Sequence, residues 1–195
     1  IQRDHVLNRM GYGPDAWSSA RILEPGVPAY IAEQLQPDAL DDSALEAEIA
    51  SLYPVTTMPF GQSRTTFHEY TGNSETGPFT AMRDGTRAKI LRAVKSKKQL
   101  EQVLVDFWYN HFNVDGQIEE ARWGFLTLER DAIRPHVFGR FEDMLRATAK
   151  NARLSAAVLV LATFYVGWLA DRFHGSRPLA AALIVLYLAL FVKLN

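Results

Sequence analysis

Apolar positions recur along the first 150 residues at the spacing of amphipathic α-helices. The best example is residues 96–113, where apolar side chains follow one another at i, i+3, i+4, i+7 and i+8. Proline and glycine punctuate the pattern, and no convincing alternation with a period of two indicates a β-strand. The sequence therefore predicts an all-α, multi-helix domain. Predicted helices cover residues 4–10, 15–23, 27–36, 43–53, 96–113, 121–134 and 138–150, and residues 54–79 are expected to form an exposed loop.

Two helix starts carry the spacing of a capping box, in which a hydroxyl and a longer polar side chain satisfy each other's backbone N–H groups. The pairs are Ser43 with Glu46 and Ser96 with Gln99. We expect both pairs to fix where their helices begin.

Large apolar side chains in two of the helices are the predicted core. Trp108 and Phe112 lie on the apolar stripe of the helix in residues 96–113 and are expected to be core anchors. In the helix at 138–150, Phe141, Leu145 and Met144 are the expected buried residues.

The apolar stripe of the helix in residues 96–113 contains one histidine. A turn of 100° per residue places His111 in its middle, with Asn110 and Asp106 along one edge. A buried histidine needs a hydrogen-bond partner, and Arg134 and His136 are the first candidates. Two hypotheses follow: an acid–base cluster centred on His111, or a polar network that only fixes helix packing. Further possible partners on the first helix are His5, Asn8 and Arg9.

Other kinds of chemistry have little support in the sequence. The chain has no cysteine, no phosphate-binding glycine loop and neither HExxH nor GxSxG. His111, Asp115 and Glu119 are spaced by four residues, but Gly116 is expected to interrupt the helix between them. We therefore predict no metal and no cofactor. Neither part of the chain has the basic excess that nucleic-acid binding requires.

The amino-acid composition changes after Arg153. Leu154–Ala170 and Leu179–Val192 contain no charged residue, and a short charged turn separates them. Seventeen helical residues rise about 26 Å against a hydrocarbon core of about 30 Å. The pattern favours a hydrophobic helical hairpin in 154–195 that spans a membrane, following a domain in 1–153. The alternative is a pair of buried helices in a soluble bundle.

Three stretches of the first part resemble one bacterial family, the domain of unknown function 1800. They are "DHVLNRMGYGP", "LVDFWYNHFNV" and "ERDAIRPHVFGRFEDMLRATAKN", in the family's order, within about residues 1–153. The resemblance implies a mostly helical, often exported bacterial protein of undetermined activity. The family's domain normally continues further, whereas this sequence leaves the pattern near Asn151.

The charged turn resembles a loop of the major facilitator superfamily transporters, the one between their second and third transmembrane helices. The resemblance covers about residues 154–195. It implies a cytoplasmic loop, but two helices cannot form a transport path. The matching residues are Gly167, Asp171, Arg172, Gly175 and Arg177.

Together these patterns predict an uncharacterised protein of the bacterial cell envelope. Its helical domain is expected to be tethered to a lipid membrane through 154–192. The union of two unrelated resemblances predicts a chimeric or truncated product without transport activity. The chain begins at Ile1 with neither a methionine nor a signal region, so either an N-terminal piece was removed or the numbering starts inside a longer product. The alternative is a truncated envelope enzyme that uses the His111 cluster for acid–base chemistry.

Overall fold

The computed structural model describes residues 2–67, 77–112 and 121–150. Within these ranges the chain forms helices joined by turns, and they contain no strand, which confirms the all-α prediction. Short 3-10 turns occupy Pro37–Ala39 and Pro54–Thr56. The α-helices are α1 (Gln2–Met10), α2 (Ala16–Arg21), α3 (Val27–Gln34), α4 (Ser43–Leu52), α5 (Phe60–Thr66), α6 (Pro78–Lys95), α7 (Gln99–Phe112), α8 (Ala121–Thr127) and α9 (Phe141–Lys150).

The prediction of a loop over residues 54–79 is wrong for much of its length. It missed the 3-10 turn at 54–56, all of α5 and the first residues of α6. Glycine, threonine and serine lower helix propensity, but packing overrides that weak preference. Here Phe60 and Phe67 pack against a core of Val55 and Phe125.

Both predicted capping boxes are wrong in detail. Helix α4 begins one residue after Asp42, so Ser43 is its first helical residue and not its cap. The Asp42 carboxylate instead accepts hydrogen bonds from Ser96 Oγ (2.5 Å) and from the Lys97 backbone N–H (3.0 Å). The Gln99 side chain donates to the Ser96 carbonyl oxygen. These groups tie the start of α4 to the connection between α6 and α7, a tertiary role that a local motif does not reveal.

The chain from α8 onward forms a continuous but irregular helical segment. After Thr127 the helix widens into a π-helical turn, Leu128–Ile133, and then tightens into a 3-10 turn, Arg134–His136. Pro135 lacks a backbone N–H and cannot continue the α-helical pattern. The predicted extent of this helix was close, but its change of geometry was not foreseen.

The centre of the molecule lies around this π-helical turn. Leu128, Ala132 and Ile133 are buried there together with Val105 of α7. The turn packs against α7, α8 and α9. Apolar burial of this kind is the main favourable contribution to folding.

The face that α7 buries differs from the predicted one. Gln102 and Val105 are its buried residues near the middle, whereas the Phe107 side chain is exposed. Trp108 and Phe112 are only partly buried at the edge of the central core, so their prediction as core anchors was too strong. The stripe is rotated because the π-helical turn and the residue that follows it cover this side of α7: Val105 packs with Leu128 and Ile133, and Arg134 donates to Gln102 Oε1.

Helix α9 also departs from its predicted packing. Met144 is buried as predicted, but Phe141 and Leu145 remain 49% and 44% exposed. Phe141 stacks on Trp108 of α7 with ring centroids 5.3 Å apart, and Trp108 in turn contacts the ring of Phe107 edge-on. We call Phe107 and Phe141, together with the exposed Leu145 of α9, the aromatic face.

A close approach between α6 and α8 sets the position of the polar residues beyond it. A Cβ atom on Gly85 would lie 2.6 Å from Leu126 Cδ2 and 2.7 Å from Phe125 Cζ. Only glycine allows this distance without movement of the neighbouring side chains. One helical turn further along each chain segment, Lys89 and Glu129 face each other.

The predicted hairpin in 154–195, with its transporter-like loop residues Gly167, Asp171, Arg172, Gly175 and Arg177, lies outside the described residues. Of the helices in 2–67, 77–112 and 121–150, none has the length and apolar character needed to cross a membrane.

Candidate functional site

A single glutamate is buried in the π-helical turn. Glu129 is 3% exposed, although glutamate is rarely buried unless it is paired. π-Helical turns are rare and often coincide with functional positions. Glu129 and the residues around it are therefore the strongest candidates for a functional site.

Three cations surround the Glu129 carboxylate, but they satisfy only one of its oxygens. Arg134 Nη2 donates a 2.8 Å hydrogen bond to Glu129 Oε1, and Arg92 Nη1 lies 4.0 Å from the same atom. Lys89 Nζ lies 4.0 Å from the other oxygen, Oε2. Oε2 is buried and accepts no hydrogen bond from any described residue. Buried polar atoms are normally paired, so this network is incomplete at one position.

Lys89 is held by other groups. Its ammonium donates a 3.1 Å hydrogen bond to Asp106 Oδ1 and lies 4.1 Å from the centroid of the Tyr109 ring. An ammonium above an aromatic face is attracted by the ring quadrupole. Lys89 thus bridges a carboxylate that is 41% exposed, Asp106, and a buried one, Glu129.

A cavity of about 420 Å³ opens beside this lysine. This volume lies within the range of small-molecule pockets. We call it the Lys89 cavity. Its lining residues come from the loop after α1 and from α6, α7 and α8: Tyr12, Met82, Thr86, Lys89, Ile90, Ala93, Asp106, Tyr109 and Phe125.

Tyr12 contributes a hydroxyl group to the cavity. Tyr12 is half-exposed, and its partial burial, followed by the charges of Asp106 and Glu129, raises the pKa of Tyr12 to about 12. The phenol therefore stays protonated at neutral pH. Its hydroxyl group donates a long hydrogen bond, 3.4 Å, to the Gln102 carbonyl oxygen, while the Tyr12 backbone N–H donates to Gln99 Oε1.

Further polar side chains hold the two arginines in place. Arg134 Nη1 donates to Gln102 Oε1 (3.0 Å). Arg92 forms a two-pronged ion pair with Glu46, with bonds of 2.8 and 2.7 Å. Burial alone would lower the pKa of Arg92, but the hydrogen bond and charge of Glu46 outweigh it and raise the pKa above its usual value. Two-pronged pairs of this kind fix side-chain direction as well as charge.

Comparison with known protein families identifies the family of this domain. The family described as "Protein of unknown function (DUF1800)" matches residues 5–155. The chain belongs to this family. No curated protein and no solved structure matches the chain.

The structure of the DUF1800 domain brings together only two of the predicted site residues. Asp106 and Arg134 both belong to the network around Glu129. Asn110 instead donates its side-chain amide to the Asp106 backbone carbonyl on the exposed side of α7. The Nδ1 atom of His136 is 2.8 Å from the Ala132 carbonyl oxygen, within its own helical segment.

The predicted burial of His111 is wrong. His111 is exposed, and its ring contacts are with Phe107, Trp108 and Phe112 of its own helix. The error follows from the rotated face of α7, which turns His111 to the side of the aromatic face. A catalytic role for His111 is not tested by this geometry, but the reason for placing it at the centre of a site is gone.

We expect the substitutions His111→Gln and His111→Leu to change the free energy of unfolding by less than about 0.5 kcal/mol each, as is usual for exposed positions. Urea denaturation of the full chain in a mild detergent measures both. A loss of about 1–3 kcal/mol for His111→Leu alone is the cost of leaving a buried polar partner without a hydrogen bond, and it would show that His111 is buried.

Sequence reasoning missed Glu129, Lys89 and Tyr12. Glu129 lies in the quoted stretch "ERDAIRPH", beside Arg134, so its charge was available as a signal. Lys89 is 17 residues from Asp106 along the chain and has no local motif. Among the residues that the structure describes, no group of three or more histidine, aspartate or glutamate side chains is arranged to hold a metal ion.

Glu101 provides a pH-dependent prediction near this site. Burial raises the pKa of its carboxyl group, and this outweighs the opposing charge of Arg134, whose Nη1 is 3.7 Å away. An acid whose pKa is higher in the folded state favours folding when protonated, and that contribution is lost as pH rises through the folded pKa. Glu101→Gln is therefore expected to stabilise the protein at pH 7.

The stability gain should shrink as pH falls toward the unfolded-state pKa of about 4.3. Urea denaturation between pH 4 and pH 7 measures the trend, with the half-exposed Glu142→Gln of α9 as control. A gain from Glu101→Gln that stays constant over this range would rule out the burial effect.

Proposed function

We propose that the helical domain of this protein binds a small organic molecule in the Lys89 cavity. The observation that carries the proposal is the incomplete network beside it: a buried Glu129 oxygen without a hydrogen bond, 4.0 Å from Lys89 Nζ. A network that served packing alone would be expected to be fully paired. Convergent polar groups on an apolar cavity are typical of ligand sites.

The walls of the cavity support this function. Met82, Ile90 and Phe125 offer apolar surface, and Tyr12 and Asp106 offer one hydroxyl and one carboxylate. An apolar body with one or two polar groups would be complementary to such a lining.

Blocking the cavity tests this proposal. Thr86 is exposed and lines the cavity, so Thr86→Trp should fill part of it without disturbing the core. The matched control is Val94→Trp on the same helix, which is 64% exposed and is not a lining residue. Ligand-observed NMR with small aromatic amines, alcohols and acids should detect at least one binder to the full chain. Thr86→Trp should abolish that binding and Val94→Trp should keep it; equal loss or equal retention in the two variants would contradict the proposal.

A second candidate function is attachment to the membrane of a bacterial envelope through 154–192. The aromatic face favours it, because Phe141 and Leu145 are exposed on α9. This helix ends at Lys150, four residues along the sequence before the uncharged stretch Leu154–Ala170 begins. Exposed apolar patches commonly mark membrane or protein contacts.

Flotation with vesicles of phosphatidylethanolamine and phosphatidylglycerol tests this attachment. Leu161→Lys places a charge in the middle of the uncharged stretch, where insertion costs about 3 kcal/mol. It should release the chain from vesicles, whereas Leu35→Lys on the exposed surface of the helical domain should not. Flotation that is unchanged by Leu161→Lys would contradict membrane attachment through this segment.

A further inference from the structure

The Lys89 cavity already contains a bound ammonium group, which belongs to the protein itself. Lys89 Nζ is 3.1 Å from Asp106 Oδ1 and 4.1 Å from the Tyr109 ring centroid. A carboxylate together with an aromatic face is the usual combination for recognising an organic ammonium ion. The question is whether Lys89 can leave this position for a ligand.

Lys89 has a second acceptor within reach. The unpaired Oε2 atom of Glu129 lies 4.0 Å from its ammonium, so a shift of about 1 Å would form a normal hydrogen bond. After that shift Lys89 would still be paired, and the one unsatisfied oxygen of Glu129 would be satisfied. The exchange therefore leaves no buried charge without a partner. It avoids the large free-energy cost of an unpaired buried charge.

Once Lys89 has turned to Glu129, the Asp106 carboxylate is left without its cation. Asp106 is 41% exposed and lines the cavity, as does the Tyr109 ring. Partial burial raises the pKa of Tyr12, and the charges of Asp106 and Glu129 add to this effect, so the negative charge of both carboxylates reaches the cavity. An anionic ligand would be repelled by this negative charge. Lys89 is the only cation among the described lining residues, and it is already paired with Asp106.

We infer that the Lys89 cavity selects organic cations, namely an ammonium group on a small apolar body, and that Lys89 moves from Asp106 to Glu129 when such a ligand binds. This inference rests on the proposed function and specifies its ligand class. The ammonium would pair with Asp106 and lie on Tyr109, while the apolar body contacts Ile90 and Phe125.

Three probes of nearly the same shape test the selectivity: benzylammonium, benzyl alcohol and benzoate. Their affinities for the full chain can be measured by NMR titration in a non-ionic detergent. Benzylammonium should bind about tenfold more tightly than benzyl alcohol, the factor expected for one partly exposed ion pair together with a cation–π contact. Benzoate should bind most weakly.

Two variants separate the contributions. Asp106→Asn keeps the shape of the side chain but removes its charge, so the preference for benzylammonium should disappear. Lys89→Met removes the internal competitor and should tighten benzylammonium binding. If Lys89→Met does not fold, the comparison of Asp106→Asn with the unsubstituted chain still tests the selectivity for organic cations.

The outcomes also separate this inference from the proposed function. If the three probes bind equally, or if Asp106→Asn leaves the preference unchanged, cation selectivity is overturned while the cavity remains a ligand site. If no probe binds and Thr86→Trp changes no ligand signal, both proposals fail.

Discussion

Glu129→Ala is expected to lower the free energy of unfolding by about 3 kcal/mol, the low end of the loss seen when one partner of a buried ion pair is removed. The variant would leave the Arg134 guanidinium without its 2.8 Å partner, and it would remove the shared carboxylate from Arg92 and Lys89. Arg134 is 21% exposed, and partial hydration of its charge keeps the loss from being larger.

Urea denaturation of the full chain measures this effect against two controls. Glu129→Gln keeps an oxygen that can accept from Arg134, so its loss should be clearly smaller. Glu142→Ala removes a half-exposed glutamate that pairs with Arg140 and Arg146, and it should cost less than about 1 kcal/mol. Equal losses for Glu129→Ala and Glu142→Ala would mean that the network contributes nothing specific to stability.

Leu128→Ala should be similarly destabilising, by about 3–4 kcal/mol, because it opens a cavity in the centre of the core. Leu128 is fully buried and packs with Val105, Ala132 and Ile133. Trp108→Ala removes a larger side chain that is only partly buried, and its expected cost is lower, about 2 kcal/mol.

The order of these two losses is the informative result. Thermal unfolding and urea denaturation of both variants should place Leu128 above Trp108. The opposite order would mean that Trp108 is the core anchor that the apolar pattern of α7 predicted, and that the buried face of this helix has been assigned incorrectly.

Local sequence was sufficient to predict the helical class and most helix bounds. The period of apolar residues and the positions of proline and glycine depend only on near neighbours, and so does the helix itself. The predicted helix at 121–134, ended by Pro135, therefore matches the observed segment in extent. Family membership was also recognisable, since it rests on short quoted stretches.

Helix faces were harder to predict than helix bounds. Helix α7 carries apolar residues on more than half of its circumference, so several orientations bury similar amounts of apolar surface. The choice was made by its neighbours: the π-helical turn packs on Val105, Arg134 binds Gln102, and His111 is left exposed. Helix α9 is different, because its apolar residues share one well-defined face. On that face Met144 is buried, while Phe141 and Leu145 remain half-exposed among the described residues.

The sequence by itself determined that this protein is helical, that it belongs to the DUF1800 family and that Asp106 and Arg134 were worth attention. Only the tertiary structure decided that these two residues share a site with Glu129 and Lys89. The reason is that the four residues are joined by contacts between α6, α7 and the π-helical turn. Such contacts depend on how closely two helices approach each other, as they do at Gly85. The spacing of apolar residues within one helix carries no information about that distance.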